Sequence, residues 1–212
     1  MPDSSNKKRI AVLISGNGTN MQAIVDACKS GEINGEVVVV VSNQRYAYGL
    51  QRARESQIET LLFEAEKFST RTLFCSKLAK ALNEKNVDLV CLAGYLLKIE
   101  PCMIRSFPNR IINIHPSLLP KYGGKGMYGR HVHEAVLKNG ETESGCTVHL
   151  VNEVFDEGPI LAQAKVKVLP SDTPESLAEK IHPEEHKLYV RVLKDICNEK
   201  IDLDKFSEGV KK

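Results

Sequence analysis

Apolar runs alternate with amphipathic stretches through the first half of the chain. Five apolar runs predict buried strands, at residues 10–15, 37–41, 59–63, 87–93 and 111–115. The stretches between them repeat apolar residues at helical spacing, as the face of Met21, Ile24, Val25 and Cys28 illustrates. This alternation predicts an α/β fold, an open and mostly parallel twisted sheet of Rossmann-like type with helices on both faces.

The pattern changes after residue 120. Residues 121–130 contain four glycines and predict a flexible surface loop. Residues 144–151 and 159–168 alternate as half-buried strands do, which predicts an antiparallel extension of the sheet in the C-terminal half. Thr173 before Pro174 predicts a helix start, and the helical pattern continues to residue 199 with a bend expected at Pro183.

The end of the fifth predicted strand carries two polar side chains on one face. Asn113 and His115 alternate with buried isoleucines, and Pro116 and Pro120 then stop regular pairing. In parallel sheets, ligands bind at the carboxyl ends of the strands. Either the strand delivers an amide and an imidazole to a site, or Asn113 caps a turn and His115 is a hydrogen-bonded core histidine.

A glycine-rich loop, residues 16–20 (GNGTN), lies between the first strand and the first helix. We call it the glycine loop. A strand–loop–helix unit directs backbone N–H groups at an anion. Met21 occupies the third glycine position of the dinucleotide pattern, and no Gly-Lys-Ser/Thr follows, so a single phosphate fits better than a dinucleotide or a nucleoside triphosphate. The alternative is a tight turn without a ligand.

Asp156 is the candidate partner of His115. If the loop after residue 151 folds over the fifth strand, its carboxylate meets the imidazole and favours the imidazolium, which together with an Asn amide stabilises an oxyanion. A turn residue before Gly158 is the alternative. Because no serine or cysteine is placed as a nucleophile, direct attack by a substrate amine fits better than covalent catalysis.

Other polar clusters favour structural roles. His131 and His133 lack a metal-ligating partner, so we expect no metal, and His149 reads as a satisfied sheet histidine. The cluster around Glu184 and His186 is typical of a solvated helix face.

Composition narrows the class of protein. The chain has 212 residues, with 29 basic and 27 acidic side chains and a net charge of +2, which argues against a nucleic-acid surface. The six scattered cysteines indicate free thiols in a reducing compartment. No apolar run of membrane or signal-peptide length is present, so we expect a cytoplasmic protein with no membrane partner. We expect a single domain over 1–212, with a folded core at about 9–199 and polar tails at 1–8 and 201–212.

Four motifs together resemble one family. The segments 14–20 (ISGNGTN), 92–95 (LAGY), 112–120 (INIHPSLLP) and 156–160 (DEGPI) follow its order. The chain resembles the folate-dependent formyltransferases, and among them the phosphoribosylglycinamide formyltransferases, over roughly residues 9–196. The resemblance implies transfer of the formyl group of 10-formyltetrahydrofolate, as cosubstrate, to the amine of glycinamide ribonucleotide in purine biosynthesis.

The same resemblance implies roles for individual residues. Asn113 and His115 would stabilise the oxyanion, and Asp156 would assist proton transfer. The ribonucleotide would contact Gly18, Thr19, Asn20, His182 and Glu185. The folate would contact Arg71, Leu96, Leu97, Lys98, Ile99 and Asn113. The chain departs from members that carry Met-Arg-Ile-Leu at 96–99, and its loop at 123–130, a possible lid, is longer than in the shortest members.

Three alternatives remain open. A formyltetrahydrofolate hydrolase shares the strand and loop, but an added amino-terminal domain is expected there, whereas about nine residues precede the first strand here. A tRNA formyltransferase is expected to have a further carboxyl-terminal domain and a basic surface. A non-catalytic binding domain would be expected to lose Asn113, His115 or Asp156, and all three are present. A monomer and a homodimer are both compatible with the sequence.

Overall fold

The computed structural model describes residues 7–209 as one seven-stranded sheet with flanking helices. The strands are β1 Lys8–Ile14, β2 Gly35–Ser42, β3 Thr60–Leu62, β4 Leu89–Leu92, β5 Ile111–His115, β6 Glu143–Leu150 and β7 Ile160–Lys167. The helices are α1 Thr19–Lys29, α2 Tyr48–Glu55, α3 Arg71–Asn83, α4 Pro101–Ser106, α5 Arg130–Lys138 and α6 Pro174–Cys197. Short 3-10 helices lie at Ala65–Lys67 and Leu203–Gly209.

The strand order is β3-β2-β1-β4-β5-β6-β7. The first five strands pair in parallel, and β6 and β7 pair antiparallel to their neighbours. The predicted fold class is therefore confirmed, including the antiparallel extension. The carboxyl ends of β1, β4 and β5 consequently meet at one edge of the sheet.

Alternate residues of β1 face two separate layers of core. Ile10, Val12 and Ile14 pack with the helices α1, α2, α5 and α6. Ala11 and Leu13 pack with α3 and α4 on the other face. All five side chains are fully buried, as expected of a central parallel strand covered on both sides.

The long helix α6 closes the first face. The Thr173 hydroxyl accepts the Ser176 N–H in a capping box, Pro174 occupies the first turn, and the helix continues through Pro183. From its buried face the Tyr189 hydroxyl donates to the carbonyl oxygens of Leu92 and Ile112, both at 3.1 Å. This side chain therefore holds α6 against the ends of β4 and β5, next to Asn113.

After β4 the chain is irregular as far as Glu100, and Pro101 then starts the short helix α4, because Pro at a first helical position favours such a start. One strand prediction is wrong in detail. Strand β6 is not half-buried: after Glu143 every residue in it is buried. The reason is that β6 lies between β5 and β7, and α6 and the 117–122 loop cover its faces.

The cysteine and tail predictions also need correction. Cys75 on α3 and Cys102 on α4 form a disulfide, because the two helices pack with these Cα atoms 6.2 Å apart, which their sequence positions conceal. The other four cysteines are free and buried. The predicted polar tail at 201–212 contains the 3-10 helix, in which Leu203 is buried and Asp204 accepts two hydrogen bonds from Arg110. Residues 1–6 and 210–212 lie outside the described part of the chain.

Candidate active site

The end of β5 brings the predicted catalytic trio together. His115, 4% exposed, has its Nδ1 3.6 Å from Asp156 Oδ2, and Asn113 lies two residues earlier on the same strand face. Asp156 comes from the loop after β6, in a left-handed backbone conformation with φ 57°. The 151–156 loop thus folds over the end of β5, which is the condition that the sequence analysis set for a contact between Asp156 and His115.

The tautomer of His115 follows from its second contact. Its Nε2 lies 2.8 Å from the carbonyl oxygen of Tyr122, which can only accept, so Nε2 carries a hydrogen. Nδ1 is then the nitrogen that gains or loses the proton, and it faces Asp156. Burial lowers the pKa of His115, while Asp156 and the Tyr122 carbonyl act in the opposite direction. Burial thus favours the neutral ring, and the neighbouring Asp156 carboxylate favours the charged one.

Asp156 is held ionised by its neighbours. Its Oδ2 accepts the Gly124 N–H at 2.9 Å, and its Oδ1 lies 3.6 Å from His149 Nε2. Burial acts to raise the pKa of Asp156, but His149, His115 and the Gly124 amide together keep it below its usual value. The loop can approach this closely because Gly123 has no side chain: a Cβ there would lie 2.6 Å from Leu119 Cδ2.

His149 is the hydrogen-bonded sheet histidine that the sequence predicted, and it also belongs to this cluster. It pairs with Asn113 across β5 and β6, and its Nε2 lies 3.1 Å from Asn113 Nδ2. Its Nδ1 donates to the Leu150 carbonyl at 2.8 Å, so in the neutral ring Nε2 accepts from the Asn113 amide. One N–H of that amide is thus used for orientation and the second remains for a ligand.

The trio faces a cavity of about 390 Å³. Its walls are the residues of 94–99, the strand end 113–115, the loop 124–128 and the loop 151–156. Leu96, Leu97, Lys98 and Ile99 all line it. Arg71 does not line it: its side chain is half-exposed, with Nε 3.6 Å from a carboxylate oxygen of Glu100, the residue after the lining residue Ile99.

The glycine loop forms a second feature of the same sheet edge. Gly18 has φ +70°, and a Cβ there would lie 2.8 Å from Gly49 Cα, so only glycine fits. Gly18 precedes α1 without a side-chain cap, which leaves the first N–H groups of the helix, including those of Thr19 and Asn20, outside the intrahelical pattern. This arrangement suits an anion.

Asn20 and Glu185 contact each other at this end. Asn20 Nδ2 lies 3.2 Å from Glu185 Oε2, although Glu185 belongs to the distant helix α6. Glu185 is 5% exposed, and burial raises its pKa to about 7. The Oδ1 atom of Asn20 is buried and has no hydrogen-bond partner among the described residues. His182 is exposed one turn earlier on α6.

The histidines of α5 do not form a metal site. His131 is exposed and His133 is buried, with its pKa lowered to about 4 by burial. Within residues 7–209, no group of three histidine, cysteine, aspartate or glutamate side chains is arranged to hold a metal ion. Over the same residues, no helix combines the length and apolar character that a membrane crossing needs.

The sequence did not indicate three participants in the site: His149, the Tyr122 carbonyl and the Gly124 amide. His149 could have been found from the register of β5 and β6, since it lies directly opposite Asn113 and their side chains therefore point to the same face of the sheet. The two backbone groups have no side-chain signature.

Comparison with known proteins identifies close relatives. A family model described as formyl transferase matches residues 8–193. The chain is 47% identical over 196 residues to a chloroplastic phosphoribosylglycinamide formyltransferase of Arabidopsis thaliana, covering 92% of this chain and 67% of that protein. It is 43% identical to a phosphoribosylglycinamide formyltransferase of Haemophilus influenzae, covering 88% of this chain and 86% of that one.

A longer relative and a solved structure also match this chain. A trifunctional purine biosynthetic protein of Drosophila melanogaster is 43% identical over 197 residues, and the chain spans only 14% of its length. The crystal structure of glycinamide ribonucleotide transformylase 1 from Symbiobacterium toebii superposes with a TM-score of 0.89 at 44% identity, covering 93% of this chain and 91% of that one.

Proposed function

The chain belongs to the formyl transferase family and within it to the phosphoribosylglycinamide formyltransferases, and on that premise we propose how its residues transfer a formyl group. The proposed reaction moves the formyl group of 10-formyltetrahydrofolate to the amine of glycinamide ribonucleotide. The convergence of Asn113, His115 and Asp156 on one cavity carries the proposal. Neither a nucleic acid nor a membrane takes part.

Asn113 and His115 stabilise the tetrahedral intermediate. The substrate amine attacks the formyl carbon, and the carbonyl oxygen becomes an oxyanion. The free N–H of Asn113 and the protonated Nδ1 of His115 then donate to that oxygen. His149 and the Tyr122 carbonyl hold these two donors in place.

Asp156 balances the charge and the protons. The attacking amine gives one proton to Nδ1 of His115, and the departing nitrogen of the folate later takes one, so the reaction consumes none overall. The ionised carboxylate 3.6 Å from His115 Nδ1 stabilises the imidazolium while the oxyanion exists. As the intermediate collapses, the proton can pass to the leaving nitrogen through this pair.

The ribonucleotide occupies the β1 end. Backbone N–H groups of Gly18, Thr19 and Asn20 bind its phosphate. Glu185 and the unpartnered oxygen of Asn20 accept hydrogen bonds from its hydroxyl or amide groups, and His182 lies at the rim. The amine thereby reaches from the glycine loop toward His115.

The folate occupies the cavity. Leu96, Leu97, Lys98 and Ile99 contact its ring system, largely through backbone atoms, and Asn113 meets the formyl group. Arg71 beside Glu100 attracts the anionic tail. No metal is required for any step. We further propose a cytoplasmic location and either a monomer or a homodimer.

The test is a spectrophotometric assay of folate release from 10-formyltetrahydrofolate, with and without glycinamide ribonucleotide. We expect release only with the ribonucleotide, together with one formylated ribonucleotide per folate released. Release without the ribonucleotide would indicate a hydrolase and contradict the proposal.

A further inference from the structure

Ser15 connects the two halves of the site. It is the residue between β1 and the glycine loop, and its backbone N–H donates to the Gly94 carbonyl at 3.1 Å. Its hydroxyl accepts the Leu96 N–H at 2.9 Å and donates to Asn43 Oδ1 at 2.6 Å. One side chain thus joins the ends of β1, β2 and β4.

The direction of the Ser15 hydroxyl is fixed by this arrangement. A serine hydroxyl has one hydrogen and two acceptor lone pairs. Asn43 is 5% exposed and takes the hydrogen, so a lone pair points at the Leu96 N–H. Gly94 precedes this contact in a left-handed conformation with φ +73°, where the chain turns out of β4. The hydroxyl therefore sets where the segment 96–99 begins.

We propose that Ser15 is a positioning residue for the folate site and not for the ribonucleotide site. The inference rests on the proposed function, because that function assigns the folate to residues 96–99. Sequence position alone suggests the opposite, since Ser15 precedes the glycine loop directly. Of the two contacts of its side chain, however, the one with the Leu96 N–H reaches the folate segment, whereas the one with Asn43 lies at the end of β2 and holds the hydroxyl in position.

The glycine loop has its own supports. The Gly16 carbonyl accepts the Gly49 N–H at 3.1 Å, and the Asn17 carbonyl accepts Arg52 Nε at 3.0 Å. Neither contact uses the Ser15 hydroxyl. Removing that hydroxyl therefore leaves the anion-binding loop in place while it frees the first residue of the folate segment.

The first test compares substrate dependence in Ser15→Ala, Ser15→Thr and the control Ser76→Ala, whose hydroxyl donates to the Leu73 carbonyl in α3. Loss of one hydrogen bond predicts that Ser15→Ala raises the KM for 10-formyltetrahydrofolate about tenfold and leaves the ribonucleotide KM within about twofold. Ser15→Thr keeps a hydroxyl and should restore most of the folate affinity. The control should match the wild type.

The second test does not need turnover. Hydrogen exchange of the Leu96 amide, followed by NMR in the free protein, should accelerate about tenfold in Ser15→Ala and little in Ser15→Thr. Unchanged exchange, an unchanged folate KM, equal rises in both KM values, or a rise confined to the ribonucleotide would each overturn the inference. A wild-type chain without formyl transfer would instead overturn the proposed function, so the two failures are distinguishable.

Discussion

The carboxyl ends of β5 and β1 lie at the same sheet edge but are built differently. At β5, side chains hold one another: Asn113 contacts His149, and Asp156 lies between His149 and His115. At β1, backbone groups of the glycine loop form the candidate anion site, and the loop is held by contacts of its Gly16 and Asn17 carbonyls and of the Asn20 side chain. The difference teaches that the β5 end is suited to moving charge, whereas the β1 end is suited to holding a fixed anion.

The largest effect on kcat is expected from a substitution in the side-chain cluster at the β5 end. Asp156→Asn keeps an acceptor for the Gly124 N–H but removes the charge beside His115. We expect kcat to fall about 1,000-fold, within the range of general acid–base catalysis, with the ribonucleotide KM nearly unchanged. Steady-state kinetics measure this, with the exposed Asp26→Asn on α1 as control. A loss below about tenfold would contradict the role.

A smaller effect on kcat is expected from a second substitution at the β5 end. His149→Ala removes the group that orients the Asn113 amide. We expect kcat to fall about tenfold, which corresponds to the loss of one hydrogen bond. The exposed His131→Ala is the matched control. If His149→Ala matched wild-type kcat, Asn113 would not depend on this contact.

At the β1 end, Glu185 should make the stability of the protein depend on pH. Burial raises the pKa of Glu185 from 4.5 to about 7, so the folded chain holds this proton more tightly than the unfolded chain does. The stabilising contribution is complete below pH 4.5 and is lost as the pH rises through about 7. Glu185→Gln, which cannot ionise, should therefore be more stable than the wild type by about 1–3 kcal/mol at pH 8.

Urea denaturation at several pH values measures this advantage. It should shrink toward zero as the pH falls to 4.5, the ordinary value for a glutamate. The exposed Glu179→Gln on the same helix should show no such trend. A constant difference between pH 5 and pH 8 would mean that Glu185 is ionised throughout that range.

The smallest expected effect is that of replacing Arg71. Arg71 is half-exposed and already faces Glu100, so solvent screens its charge. Arg71→Ala should raise the KM for 10-formyltetrahydrofolate only about two- to threefold. The exposed Lys77→Ala, also on α3, controls for a general change in charge. An effect above about tenfold would place Arg71 in direct contact with the folate.

The sequence allowed prediction of what is local. The parallel strands were predictable because strands covered on both faces appear as apolar runs. That Asn113 and His115 share one strand face was predictable because they lie two residues apart on β5. The glycine loop was likewise contiguous. What was missed depends on distant chain segments. The full burial of β6 follows from its place between β5 and β7, and the contact of His149 with Asn113 follows from the register of β6 against β5.

Backbone contacts escaped prediction altogether. The Tyr122 carbonyl and the Gly124 amide bind His115 and Asp156 through atoms that every residue has. The disulfide between Cys75 and Cys102 was missed because helix packing, not sequence spacing, brings the two residues together. The identity of the two substrates came from the family resemblance and not from local chemistry.

The most direct test of the division between the two ends is the rate of formyl transfer at saturating ribonucleotide for Asn20→Ala and His115→Ala. The proposed role of Asn20 is in ribonucleotide binding, so we expect excess ribonucleotide to return its variant to within about threefold of the wild-type rate. The proposed role of His115 is in stabilising the transition state, so its variant should stay at least about 100-fold slower at any ribonucleotide concentration. Rescue of His115→Ala by ribonucleotide, or failure to rescue Asn20→Ala, would contradict the account.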